Sequence, residues 1–349
     1  MKILYGVCGE GLGHAIRTKI LVNYLKKKHD IIIAAGGKAY DFLSKCFDQV
    51  ESIEWPRAIY RDNTFKIFQT GLKILLKTIT KTPHSYFKVR NIIKKFKPDI
   101  VITDAEPICC YAAMLNKIKC ISIDNPHSIL FKPDLEIELD EYIGYIALKI
   151  IFKISIPKVE KYIIYDFCDE KSLNPSCIFV KPLIQEKILT QKPSYGKHVF
   201  VYQTSSSNIK LIEILKKLNE KFIIYGFDKN VTDGNLIFKR FNESEFYQDI
   251  AEAKAVITNG GFTLLSEALY LRKPIFSNPI KNQFEQVLNA KMIEKLGAGV
   301  YCKEIKKEYL VKFLSDLEEY KRNLKKYNPG NQKEILGLIE KEILSVVNR

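Results

Sequence analysis

Several familiar marks are missing from this 349-residue sequence. None of its eight cysteines stands in a CxxC pair, and the adjacent Cys109-Cys110 has no regularly spaced partners. Neither a zinc site nor a disulfide framework is therefore expected, and the thiols are read as reduced. No apolar run reaches the roughly 20 residues that a membrane-crossing helix needs. The most apolar late stretch, Tyr142 to Ile156, is interrupted by Lys149 and Lys153. From Met1 the chain enters Lys2-Ile-Leu-Tyr-Gly-Val7 without a secretory leader's apolar core and cleavage site, which predicts a cytoplasmic location. No repeat of short period is present. Negative charge is also missing locally: from Phe65 to Lys97 there are nine Lys/Arg and no Asp or Glu.

The chain is long for one domain, and its pattern divides it in two. Lys2–Val7 reads as a strand ending in glycines, His14–Lys28 as a helix, and Ile31–Ala34 as the next strand. Further strands are expected at Val50–Ile53, Asp99–Thr103 and Cys120–Ile123, with helices between them. The alternation restarts at His198–Tyr202 and continues through Phe222–Tyr225, Leu236–Phe238, Ala255–Thr258 and Pro274–Ser277. It predicts an α/β protein of two Rossmann-like, doubly wound parallel-sheet domains facing a central cleft. Expected boundaries are 1–181 for the first domain and 182–197 for a linker marked by Pro182, Pro193, Ser194 and Gly196. A second domain at 198–330 and a C-terminal helix at 331–349, packing back on the first domain, complete the expectation.

Ligands of open parallel sheets bind beyond the carboxyl ends of the strands, so the residues there carry the functional reading. After the first strand comes Gly9-Glu10-Gly11-Leu12-Gly13-His14. Its glycines, Gly11 and Gly13 above all, offer bare amides at a helix start, where negative charge is favoured. The spacing is not the GxGxxG dinucleotide fingerprint, which argues against a nicotinamide cofactor. His14 has the side chain suited to a general base near neutral pH, or it caps or packs the helix. Asp104, at the end of Asp99-Ile-Val-Ile-Thr-Asp104, orients His14 or caps the following helix. Glu106 is a weaker candidate, and Asp124 and His127 are expected to contact an acceptor. Ala255-Val-Ile-Thr-Asn259-Gly260-Gly261-Phe-Thr263-Leu-Leu-Ser-Glu267 runs from a strand through two glycines into a helix, a pattern that suits a diphosphate. Glu267 lies one turn beyond Thr263 on the same face. The loop Pro279-Ile-Lys-Asn282-Gln-Phe-Glu285-Gln286 suits the hydroxyls of a sugar.

These two stretches resemble the GT-B glycosyltransferases. The likeness is strongest to the peptidoglycan N-acetylglucosaminyltransferases that act on a lipid-linked acceptor and to UDP-glucuronosyl- and glucosyltransferases. The resemblance implies His14 at the reacting centre, Glu267 on the ribose and Gln286 on the donor sugar. It also implies Thr204, Ser205 and Ser206 on the diphosphate and Phe241 beside the base. Many members carry His where this chain has Asn259, which puts a charged phosphate contact there in doubt. With no Asp-x-Asp motif, no obligatory metal and no cofactor are implied. The expected function is inverting transfer of a hexose or N-acetylhexosamine, with UDP as the default carrier, to a membrane-associated or cell-surface glycan precursor. A sugar-nucleotide 2-epimerase of the same fold and a non-catalytic nucleotide-sugar-binding scaffold are the alternatives. The basic segment 65–97, with Phe65, Phe68, Leu72 and Phe87 interleaved, is expected to touch an anionic membrane on its inner face, or to be a solvated face. No nucleic-acid motif accompanies it, and nucleic acid is not an expected partner.

Overall fold

The computed structural model describes residues 1–54, 60–61, 64–65, 82–132, 137–138, 141–156, 158–169, 172–204 and 208–349. Ser205, Ser206, the helical pattern Phe68–Ile79 and Lys66, Lys73, Lys77 and Lys81 of the basic segment lie outside them. The chain forms two compact units. Met1–Ile59, Ile67–Leu183 and Gly330–Arg349 make the first, and Tyr60–Lys66 and Ile184–Pro329 the second.

The strands, in chain order, begin with β1 (Lys2–Val7), β2 (Asp30–Ala35), β3 (Val50–Ser52) and a short antiparallel pair, β4 (Tyr60–Arg61) and β5 (Thr64–Phe65). They continue with β6 (Ile100–Asp104), β7 (Cys120–Asp124), β8 (Lys161–Tyr165) and β9 (Cys177–Val180). Among the described residues the first unit holds one parallel sheet of seven strands, ordered β3-β2-β1-β6-β7-β8-β9. Every residue of β6 and β7 is buried. That is why these strands read as unbroken apolar runs: both faces are covered by helices.

The helix Thr82–Phe96 follows the apolar spacing expected for it. Val89 and Ile93 enter a core with Leu4, Val101, Cys109 and Ala112, while Tyr86 packs against it. Each such buried aliphatic side chain contributes about 1.5–3 kcal/mol. The terminal helix Gln332–Val347 belongs to this unit, where Tyr24 Oη and Lys28 Nζ donate to the buried Glu340 at 2.9 and 3.1 Å. Lys119 Nζ adds a bond to the Val346 carbonyl near the helix end at 3.1 Å, a favourable place for a cation.

The second unit contains β10 (His198–Tyr202), β11 (Lys221–Tyr225), β12 (Val231–Asp233), β13 (Leu236–Phe238), β14 (Ala255–Thr258), β15 (Ile275–Ser277) and β16 (Gly299–Tyr301). Their order is β12-β13-β11-β10-β14-β15-β16, parallel except for the exposed edge strand β12. β4, β5, β8, β9, β12 and β16, of two to five residues each, were not expected.

Candidate active site

In each sheet the first strand of the unit lies between a strand reached one way and a strand reached the other. β1 is flanked by β2 and β6, and β10 by β11 and β14. These are the topological switch points, where an open α/β sheet presents its ligand site. Val7 pairs with Asp104 at one of them and Tyr202 with Thr258 at the other.

At the first switch point the chain leaves β1 and turns through Gly11, whose φ of +73° favours a residue without Cβ. It enters the helix Gly13–Leu25 with no side chain capping the N-terminus, so the first amides are left for a ligand. His14 Nδ1 meets Asp104 Oδ1 at 2.8 Å. Asp104 is fully buried and is also gripped by Arg17, from Nε to Oδ2 at 2.7 Å and from Nη2 to Oδ1 at 2.5 Å. Arg17 Nη2 also lies against His14 Nδ1. Burial and Arg17 oppose charge on His14, but Cys8 and the bonded Asp104 outweigh them and hold the imidazole up at about 10. Arg17 was not anticipated, although its place three residues after His14 puts it on the same helical face.

Two expectations change here. The cap of the helix Pro107–Leu115 is Glu106, not Asp104: its carboxylate accepts from the Ile108 and Cys109 amides at 2.9 and 2.7 Å. Asp124 and His127 are both buried and bonded to each other, Oδ2 to Nδ1 at 2.7 Å. Phe152 and Tyr162 cover the imidazole, with ring centroids at 5.0 and 5.6 Å. Burial pushes Asp124 up, but His127, the Ser122 hydroxyl and the His127 amide together hold it down at about 2. In this form the pair has no surface to offer an acceptor, and it serves as a buried brace beneath the carboxyl edge of the sheet.

The second switch point is built from carboxamides. Asn259, fully buried, accepts from the Thr204 amide at 2.8 Å. It donates to Gln203 Oε1 at 3.0 Å and to the Asn278 carbonyl at 3.1 Å. Asn208 donates to the same Gln203 oxygen at 3.0 Å, and Asn278 reaches the Cys302 carbonyl at 2.8 Å. This network ties the ends of β10, β14, β15 and β16, so Asn259 holds the loops in place. Gly260 has φ +94°, and a Cβ there would stand 2.8 Å from the Gln286 carbonyl oxygen. Gly261 stands at the start of the helix Phe262–Tyr270 and has no side chain to cap it, while Thr263 is half-buried and Thr204 exposed.

Glu267 lies one turn further, buried, with Oε1 accepting from Gln185 Nε2 at 2.6 Å. Gln286 is buried as well and uses Oε1 to accept from the Ile280 amide at 2.9 Å, while its neighbour Glu285 is half-buried. Phe241, 65% exposed, stands at an open concavity of about 610 Å³ shared with Asn230, Thr232, Lys239, Asn242 and Glu245.

Two parallel-sheet units, each with its site at a switch point, define the GT-B class of glycosyltransferases, and the solved structures agree. The chain superimposes over its full length on the spinosyn forosaminyltransferase SpnP, with a TM-score of 0.66 at 12% identity and all of that chain covered. MurG of Acinetobacter baumannii matches over 97% of this chain and 99% of its own, with a TM-score of 0.61 at 15% identity. The model of glycosyl transferase family 1 matches residues 1–318. The chain belongs to that family and is a glycosyltransferase. A glycosyltransferase of Methanosarcina mazei is 28% identical over 332 residues, covering 86% of this chain and 85% of the relative. A Wigglesworthia glossinidia brevipalpis enzyme that transfers N-acetylglucosamine to N-acetylmuramyl-(pentapeptide) pyrophosphoryl-undecaprenol is 24% identical over 310 residues, 78% of this chain and 79% of its own.

Proposed function

We propose that this glycosyltransferase moves a hexose or N-acetylhexosamine from a nucleoside-diphosphate sugar, UDP-linked in the first instance, to an acceptor hydroxyl by inverting displacement. The observation that carries the reading is the His14–Asp104–Arg17 cluster at the first switch point. Asp104 occupies His14 Nδ1, which leaves Nε2 for the acceptor. As the acceptor oxygen bonds to the anomeric carbon, its proton passes to Nε2, and the bond from that carbon to the diphosphate breaks with its electron pair leaving on the nucleotide. The amides of Gly260 and Gly261 and the Thr263 hydroxyl take up that charge, assisted by the helix N-terminus and without a metal. Glu267 binds the ribose, Gln286 and Glu285 the sugar, and Phe241 the base. Incubation with labelled UDP-, GDP- and ADP-sugars, with and without a lipid extract, tests this. Transfer to the lipid fraction supports it; isomerisation of the donor or no turnover would point to the epimerase or scaffold alternatives.

The membrane-associated acceptor draws support from the first unit. The helix Tyr142–Ser155 buries no residue fully and exposes Ile143, Ile150, Ile151 and Ile154, each more than half accessible. Lys149 and Lys153 flank them, and the helix carries no acidic residue. An apolar stripe rimmed by lysines suits an anionic bilayer surface and supports 142–155 as a contact in addition to the basic segment. In the described part of that segment, Lys94, Lys95 and Lys97 are exposed, whereas Lys88 is bound to Glu51 and the Ser52 carbonyl. Among the described residues no helix is long and apolar enough to cross a membrane.

A further inference from the structure

Gln185 is the residue before the short helix Glu186–Leu189, yet its side chain caps nothing there. It turns instead toward helix Phe262–Tyr270 and donates from Nε2 to Glu267 Oε1 at 2.6 Å. Its own Oε1 accepts from the Tyr247 hydroxyl at 2.9 Å. Glu267 and Tyr247 are both buried, and all three residues belong to the second unit. The direction of the chain matters chemically. A carboxylate only accepts, so the amide must face it with NH₂, and the Tyr247 hydroxyl on the other side favours that orientation.

We infer that Gln185 is a positioning residue for donor binding: steadied by Tyr247, it orients the Glu267 carboxylate and keeps it ionised for the ribose hydroxyls of the nucleotide. The inference rests on the proposed place of Glu267 at the ribose. An ionised carboxylate accepts from both hydroxyls of a ribose, whereas a protonated one loses acceptor capacity. Burial drives Glu267 the wrong way and the Gln185 bond pulls it back, and the balance of the two stands at about 7. The titratable groups that feel its charge are the phenols Tyr202 and Tyr247, both themselves raised by burial. Among the described residues the Gln185 amide is the group that opposes its neutralisation.

The test compares wild type, Gln185→Leu and Tyr247→Phe in two measurements. The first follows the carboxyl carbon of Glu267, assigned with Glu267→Gln, through a ¹³C pH titration of the ligand-free protein. The midpoint should rise by about a unit or more in Gln185→Leu and by less in Tyr247→Phe. The second measures binding of UDP, GDP and ADP and their 2′-deoxy counterparts at several pH values. Gln185→Leu should bind the preferred ribonucleotide about tenfold more weakly at pH 7, recover it above the new midpoint, and change little toward the deoxynucleotide. General damage to the fold would not be repaired by alkali. An unchanged midpoint, or a ribose preference kept in full at pH 7, would overturn the positioning role. A wild type that binds ribo- and deoxynucleotides equally, with Glu267→Gln unaltered, would instead remove Glu267 from the ribose and overturn the reading on which this inference stands.

Discussion

The two switch points occupy the same place in two similar sheets and are built from opposite materials. At the first, a buried arginine, carboxylate and imidazole share their charges within hydrogen-bonding distance. At the second, among the described residues, Gln203, Asn208, Asn259 and Asn278 bond to each other and to backbone. The contrast suits the tasks proposed for them. Removing a proton requires a group that titrates and a counter-charge that fixes its tautomer. Holding a polyanion at a helix start requires amides kept in position, and neutral carboxamides achieve that without an anion to repel the phosphates. Asn259 fits this division: it is a fastener, accepting from the Thr204 amide and donating to Gln203 and the Asn278 carbonyl.

The comparison breaks most visibly in stability. Asp104→Ala leaves the buried Arg17 guanidinium without its partner and should lower unfolding free energy by about 3–5 kcal/mol in urea titration. Asn259→Ala removes neutral bonds and should cost about 1–3 kcal/mol. Equal losses would mean that the charged cluster is not the more demanding of the two.

Ligand binding sharpens it next. Glu267→Ala should weaken nucleoside-diphosphate binding by about 1.5–3 kcal/mol in titration calorimetry, while thermal stability changes little. Unchanged affinity would take Glu267 out of the donor site.

Titration separates the units further. His14 is held above its ordinary value, so it is charged at neutral pH in the ligand-free protein, and its base form grows as pH rises toward about 10. The rate kcat/KM should therefore climb on the alkaline side of an ordinary histidine. The same raised value stabilises the fold fully below the unfolded value near 6.5, and that contribution fades as pH rises through the folded value. Melting temperature should accordingly decline less between pH 7 and 10 in His14→Ala than in wild type. Parallel curves would show that His14 is not held charged.

The smallest expected effect concerns the surface of the first unit. Ile150→Asp with Ile151→Asp should abolish flotation with anionic liposomes and leave donor binding unchanged, because both side chains are more than half exposed. Variant and wild type floating alike would move the contact elsewhere.

How much of this was legible without a structure depended on distance along the chain. β1, β10, β13 and β14 were readable to the residue, because central parallel strands are continuous apolar runs closed by glycine or polar turns. His14, Asp104, Gly260 and Gly261 could be singled out because each ends a strand or opens a helix, and Glu267 because it lies one turn beyond Thr263 on the same helical face. Their partners could not. Arg17 finds Asp104 across 87 residues, Gln185 finds Glu267 across 82, and Gln203 finds Asn259 across 56. Local spacing carries no signal for such pairs. The Asp124–His127 pair shows the opposite failure: its spacing was visible, but its burial depends on Phe152 from the helix Tyr142–Ser155 and Tyr162 from β8. Asp104 and Glu106, two carboxylates two residues apart, were distinguishable only by which one faces the Ile108 and Cys109 amides.

The division of labour between the two switch points is tested most directly by the turnover number of His14→Ala at saturating donor, with donor affinity measured on the same protein. Loss of the base should lower turnover about a hundredfold or more while the nucleotide binds as before. Turnover equal to wild type would contradict the assignment of proton removal to the charged switch point.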